Sequence, residues 1–344
     1  MARIVIADDG IEFEGRTLDE RPLGGVESSL ILLAEELARR GHDVRVCNKC
    51  PAPLEHKGVW WTPIGDGLPE TADLYIANRG DKLLGLMPKA RKTVFWIHNP
   101  AGYLLKWRYL SKLRRVRPVI VFIGDYHATT CPQWVPDGGR KIIPYGIPDA
   151  FRLAKVAADP PGPRAVFTSN PLRSLDWLLE RWAEDIRPRV DGAELHIFSG
   201  AATYGSVGEA KAQAMEAVLG RARALQADGV VLRGPVPKAQ LIDELRAARV
   251  MLYRGDLNET FCLAVGEAQA MGVPTIVQNR GSVGERIIDG KTGAVAETDE
   301  DFTDAAARLL TDDDLWRYFH ETALDRQRRW GWAEAAQAFE SLLS

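Results

Sequence analysis

The chain is poor in cysteine, has no long apolar run and carries no marked excess of either charge. Its four cysteines are Cys47, Cys50, Cys131 and Cys262. A zinc site built on the Cys47–Cys50 pair would want a second pair or well-spaced histidines, and neither is present. A thioredoxin-type motif would open a helix, but Pro51, Pro53 and Gly58 follow. The pair reads instead as two unpaired thiols at a strand end. No apolar stretch approaches the roughly 20 residues of a membrane-spanning helix. The opening MARIVIADDG runs directly into a strand pattern and not into a secretory leader, so a cytoplasmic protein is expected. A net charge of -3, from 44 basic and 47 acidic residues, argues against a general nucleic-acid binder.

With 344 residues, two domains are the natural expectation. The stretch 3–8 reads as a buried strand, and 24–26 as a glycine turn. Leu30, Leu33, Ala34, Leu37 and Ala38 then mark one helix face, closed by Gly41. Further strands are expected at 44–47, 73–77, 93–97 and 118–124. Apolar strands separated by helices indicate a parallel sheet covered on both faces. A Pro- and Gly-rich stretch near 150–163 reads as a linker. A second series follows, with strands at 164–170, 193–200, 230–234, 250–255 and 274–279. Its helices are expected near 174–187, from after 200 to about 226, from Pro237, and from about 261. The fold class is therefore α/β, with two doubly wound domains, 1–155 and 156–321.

In such sheets ligands bind beyond the carboxyl ends of the strands. In the second half those positions hold Ser169, Asn170 and Arg173; Ser199 and Gly200; Arg233 and Gly234; 255–259; and 279–282. The densest segment is NETFCLAVGEAQAMGVP, 258–274. Glu259 precedes its helix and Glu267 lies on it, while the amides of Phe261, Cys262 and Leu263 are candidates for the unpaired donors of the first turn. Free amides and the helix dipole suit a phosphate, and a carboxylate suits a sugar diol. Taken singly, either glutamate reads as a surface carboxylate. Their joint placement favours a site.

This segment resembles the E-x7-E signature of retaining glycosyltransferases of family 4, also called glycosyl transferases group 1. The resemblance extends to 24–46, to KIIPYGIP at 141–148, to VVLRGPVP at 230–237, to 281–295 with Glu285, and to the ending at 330–343. It implies a GT-B fold, with two Rossmann-like domains facing across a cleft and a C-terminal helix, about 322–344, crossing back to the first. It also implies a nucleotide-diphosphate sugar as donor and retention at the anomeric carbon. The acceptor would be a hydroxyl of a glycan or lipid-linked glycan, as in lipopolysaccharide or surface polysaccharide synthesis.

By the same resemblance, Glu267 binds the donor ribose, Glu259 the transferred sugar and Arg173 the diphosphate. Arg173 stands where the family has a lysine before glycine. The family's preceding arginine is absent, with Ser169 and Asn170 in that region, and Thr260 and Cys262 stand where small glycines are often found around the signature phenylalanine, here Phe261. His98, at the end of the strand 93–97, would hydrogen-bond the donor sugar. Gly24 and Gly25 either let backbone approach the diphosphate and acceptor or make a plain tight turn. Gly200, Arg233 and Gly234 complete the expected donor rim. No cofactor and no metal are expected. The run Asp312–Asp314 reads as a helix cap. Three rivals share parts of this reading, one of them a non-catalytic sugar-nucleotide binder, against which the intact Glu259, Glu267 and Arg173 argue. A nucleotide-sugar epimerase would need further acid/base groups around the sugar. An NAD-dependent oxidoreductase would need a G-x-G-x-x-G after the first strand, which the stretch from Asp8 to Gly25 does not provide.

The stretch 104–118 carries Lys106, Arg108, Lys112, Arg114, Arg115 and Arg117 without an acid, interleaved with Trp107, Tyr109 and Leu110. It fits a helix lying on an anionic membrane, and equally a helix that packs its aromatics on the sheet.

Overall fold

Continuous apolar runs become the strands of two sheets, each in its own unit. The computed structural model describes residues 1–21, 23–200 and 211–343. One unit is Met1–Gly146 with Trp332–Ser344, and the other is Ile147–Gly331.

The first unit contains β1 (Arg3–Asp8), β2 (Asp43–Asn48), β3 (Leu54–His56), β4 (Val59–Pro63), β5 (Leu74–Asn78), β6 (Lys92–Trp96), β7 (Val119–Phe122) and β8 (Arg140–Ile142). Their order is β3-β4-β2-β1-β5-β6-β7-β8. Among the described residues of this unit only the β3–β4 pair is antiparallel. That hairpin is not foreseen above; Lys57 and Gly58 form its two-residue turn, both at positive φ (47° and 77°). The helix Gly25–Arg39 buries Leu30, Leu33, Ala34 and Leu37, as its periodicity predicts, and Gly41 at φ 89° releases the chain toward β2. The terminal helix Trp332–Glu340 packs on it, with Phe339 edge-on to Trp96 at 5.2 Å. Its Glu340 carboxylate accepts from Arg40 at 2.7 and 2.6 Å, and lies 2.8 Å from His42 Nε2.

The second unit contains β9 (Arg164–Phe167), β10 (Glu194–Ile197), β11 (Val230–Leu232), β12 (Val250–Leu252), β13 (Thr275–Gln278) and β14 (Gly293–Ala296). Their order, β11-β10-β9-β12-β13-β14, is wholly parallel. Numbered within the unit, it is the doubly wound order 3-2-1-4-5-6. The connections reverse direction between β9 and β12 here, and between β1 and β5 in the first unit. Loops leaving those neighbours diverge and open a crevice at the carboxyl edge.

Several boundaries differ from the sequence expectation. Pro237 is the N-cap, so its helix runs Lys238–Arg246. The expected helix 174–187 is Leu175–Arg181 followed by a π-turn, Trp182–Ile186. The helix expected after 200 is Ala212–Ala224, and 201–210 lie outside the described residues. Cys47 and Cys50 are buried free thiols, and burial pushes Cys50 up to about 11. Asp312 caps Asp313–Gln327 by accepting from the Leu315 amide at 2.9 Å. Among the described residues no helix is long and apolar enough to cross a membrane.

Candidate functional site

The loop after β12 is clamped from two sides. Its Glu259 amide donates to Asp256 O at 2.9 Å, while the Ser282 amide donates to Glu259 O at 3.1 Å. Gly281, at φ 70°, permits that approach, since a Cβ there would stand 2.2 Å from Asp256 O. Glu259 is only 5% exposed. Its two carboxylate oxygens accept from Arg173 and from the Tyr253 hydroxyl respectively. Burial raises the Glu259 pKa, and the Arg173 guanidinium pulls against that shift.

Arg173 comes from the loop after β9. Leu172 and Arg173 amides fold back on Asn170 at 2.9 Å each, and Ser174 takes φ 60°, where a glycine would be unstrained. The Ser174 hydroxyl donates to Gly255 O at 3.3 Å, tying the β9 and β12 loops together. The Arg173–Glu259 pair therefore spans the point where the strand order reverses.

Glu267, 5% exposed, lies on the helix Leu263–Ala270. Both its oxygens accept from Lys238 Nζ, at 2.5 and 2.7 Å. Lys238 opens its helix after Pro237 and lies 5.4 Å from the Phe151 ring centroid. The helix Leu263–Ala270 starts later than the sequence suggests, so Phe261 and Cys262 precede its first turn and only Leu263 of the three expected amides lies within it. Cys262 is the N-cap at φ 64°, a conformation that a glycine would adopt without strain. Thr260, Phe261 and Cys262 are all buried, and Arg286 stacks over the Phe261 ring at 4.3 Å. Glu285 lies in the short turn Val283–Arg286.

The rest of the expected rim is mainly packing. Gly200 accommodates Pro235, whose Cγ would be 2.8 Å from a Cβ, and the Ser199 hydroxyl donates to Ser169 O. Gly234 turns the chain at φ 72°. Arg233 engages His196 Nδ1 at 3.3 Å and lies 3.9 Å from Glu244, not against either site glutamate.

In the first unit the corresponding edge holds a buried polar chain. Asp8 accepts from Arg79 at 2.9 and 3.1 Å and from Asn78 Nδ2 at 2.6 Å. Arg79, itself at φ 57°, also reaches Glu27 at 2.9 Å. A Cβ on Gly24 would stand 2.6 Å from the Glu27 carboxylate, so Gly24 makes room for that carboxylate. Asn78 Oδ1 is left to accept from His98 Nε2–H, and His98 Nδ1 then accepts from the Tyr145 hydroxyl. The ring as folded offers neither nitrogen to a sugar hydroxyl. Burial holds the His98 pKa well below the usual value, and the Arg79 charge adds to this.

Sequence reasoning missed Tyr253 and Lys238 in the second unit, and Asp8, Glu27, Asn78, Arg79 and Tyr145 in the first. Asp8 had a visible signal, a charge closing an apolar strand; Lys238 had none at 29 residues from its partner.

The basic segment is divided in its exposure. The helix Trp107–Val116 buries Tyr109 and Leu113, while Trp107 is 80% exposed and Leu105 39%. Lys112 donates to Asp81 at 2.8 Å.

These features define a GT-B glycosyltransferase fold. Sucrose-phosphate synthase from Thermosynechococcus elongatus superposes with a TM-score of 0.73 at 16% identity, over 99% of this chain and 98% of that one. The Anabaena protein HepE, solved with UDP and glucose, gives 0.71 at 14% identity over 99% of each chain. Residues 162–312, within the second unit, match the model of the family described as glycosyl transferases group 1. A D-inositol 3-phosphate glycosyltransferase of Corynebacterium glutamicum is 33% identical over 110 residues, 31% of this chain and 26% of the relative. The chain thus spans about a quarter of the length of the curated relatives it matches.

Proposed function

We propose that the protein transfers a sugar, with retention, from a nucleotide-diphosphate sugar to a hydroxyl of a glycan or lipid-linked glycan. The observation that carries this is the Arg173–Glu259 pair across the β9/β12 switch point, with Glu267 eight residues further on. In this reading Glu267 takes the ribose diol, Arg173 and the start of the helix Leu263–Ala270 take the diphosphate, and Glu259 orients the sugar. Ser169, Asn170, Gly200, Gly234 and Thr260 shape the donor rim, and Arg233 supports it through His196 and Glu244. In this reading Gly25, Glu27 and Arg79 of the first unit mark the acceptor side.

Leaving-group charge then falls on Arg173 and the helix amides, without a metal. The acceptor hydroxyl arrives on the face the diphosphate leaves, and a leaving phosphate oxygen takes its proton. The protein contributes orientation and fixed charge, not a covalent nucleophile. Trp107, Leu105 and the surrounding basic residues would hold the protein on an anionic membrane where a lipid-linked acceptor resides, as in lipopolysaccharide or surface polysaccharide synthesis.

The test is nucleoside diphosphate release from a panel of nucleotide sugars, with extracted lipid and glycan acceptors. Arg173→Met and Glu259→Gln should each lower transfer by about 100-fold or more, the scale of losing a fixed transition-state contact. The anomeric coupling of the product reads retention. Wild-type-like turnover in both variants would remove the reading.

A further inference from the structure

The ammonium of Lys238 sits where the ribose is proposed to bind. Its Nζ bridges both oxygens of Glu267, at 2.5 and 2.7 Å. A vicinal diol uses a carboxylate in the same way, one hydroxyl to each oxygen. The two arrangements occupy the same chelating position, so they exclude each other. We propose that Lys238 is a built-in competitor at the nucleotide site, a latch that a ribose diol must displace from Glu267 before the nucleotide is fully engaged. The inference rests on the reading of Glu267 as the ribose ligand.

The surroundings suit a latch better than a strut. The Glu267 side chain is 6% exposed whereas that of Lys238 is 45% exposed, so the lysine can swing into solvent while the glutamate stays put. Lys238 is also the first residue of its helix, and releasing its side chain breaks no backbone hydrogen bond of that helix. In the donor-free protein the latch keeps a nearly buried carboxylate paired, which avoids the cost of an isolated buried charge. The nucleotide exchanges that pair for two hydroxyl hydrogen bonds. A nucleotide lacking the 2′-hydroxyl cannot chelate, and it leaves Lys238 in place.

The exchange makes ribose recognition weaker than the diol contacts alone would give. Calorimetric titration tests this with a nucleoside diphosphate and its 2′-deoxy counterpart, on wild type, Lys238→Met, Lys238→Arg and Glu267→Gln. The thermal midpoint of each protein confirms that it is folded. Lys238→Met should bind the ribonucleotide about threefold to tenfold tighter than wild type. Its affinity for the deoxynucleotide should be nearly unchanged, so the ribose-to-deoxyribose preference widens. Lys238→Arg should behave as wild type, and Glu267→Gln should lose most of the preference. If Lys238→Met binds both nucleotides equally more weakly, or narrows the preference, the lysine is a strut and the latch is refuted. If wild type binds no nucleoside diphosphate, the functional reading itself falls and the latch with it.

Discussion

His127 should make the first unit sensitive to mild acid. The residue is fully buried in the short helix Asp125–Thr129 that follows β7, where its Nδ1 accepts from the Ile123 amide at 3.2 Å and its Nε2–H donates to Asn99 O at 2.9 Å. That pair of contacts needs the neutral ring, because a proton on Nδ1 would face an N–H donor. Burial accordingly lowers its pKa from 6.5 to about 4. Above 6.5 the ring is neutral in both folded and unfolded chains, and the full stability is present. As pH falls below 6.5 the unfolded chain takes up a proton that the folded chain refuses, so stability is lost down to about 4. The shift corresponds to about 2 kcal/mol lost at about pH 5, and about 3 kcal/mol once both states are protonated. Urea unfolding at about pH 7.5 and about pH 5, followed by tryptophan fluorescence, measures the loss. His127→Gln keeps a polar group without the titration, so its loss should be smaller than that of wild type by the same amount. Equal losses in the two proteins would refute the argument.

Two further outcomes follow from the geometry. Gly281→Ala places a Cβ 2.2 Å from Asp256 O in a φ 70° backbone, so the loop holding Glu259 must shift. It should cost about 1–3 kcal/mol of stability and weaken nucleotide binding, and an unchanged thermal midpoint would contradict the clamp. Removing the exposed indole and its neighbour, Leu105→Ser with Trp107→Ser, should reduce binding to vesicles rich in phosphatidylglycerol by roughly tenfold or more. Transfer to a water-soluble acceptor should stay the same, and undiminished vesicle binding would remove the membrane face.

Much of the fold is legible in the sequence because parallel strands covered on both faces are continuous apolar runs, and β1, β5 and β7 stand out for that reason. The β3–β4 hairpin escapes because Glu55 and His56 dilute a short strand, although Lys57 and Gly58 carry a turn signal. The helix Leu263–Ala270 starts late because Cys262 adopts a left-handed conformation that the residue type does not announce. Glu259, Glu267 and Arg173 were found through a motif and their place after strands. Their partners were not: Tyr253 reads as ordinary core, and Lys238 as an ordinary first-turn residue. The Asp8–Arg79 pair joins residues 71 apart through the adjacency of β1 and β5, and only the strand order creates that adjacency. The same pairing changes the view of His98, whose ring is committed to Asn78 and Tyr145.

The measurement closest to the central claim is calorimetric titration of UDP, GDP, ADP, CMP and NAD into wild type and Glu267→Ala. The account expects one nucleoside diphosphate to bind wild type and to lose about tenfold or more of its affinity in the variant, the cost of two hydrogen bonds to a charged group. Binding of NAD alone, or nucleotide binding that ignores the loss of Glu267, would contradict it.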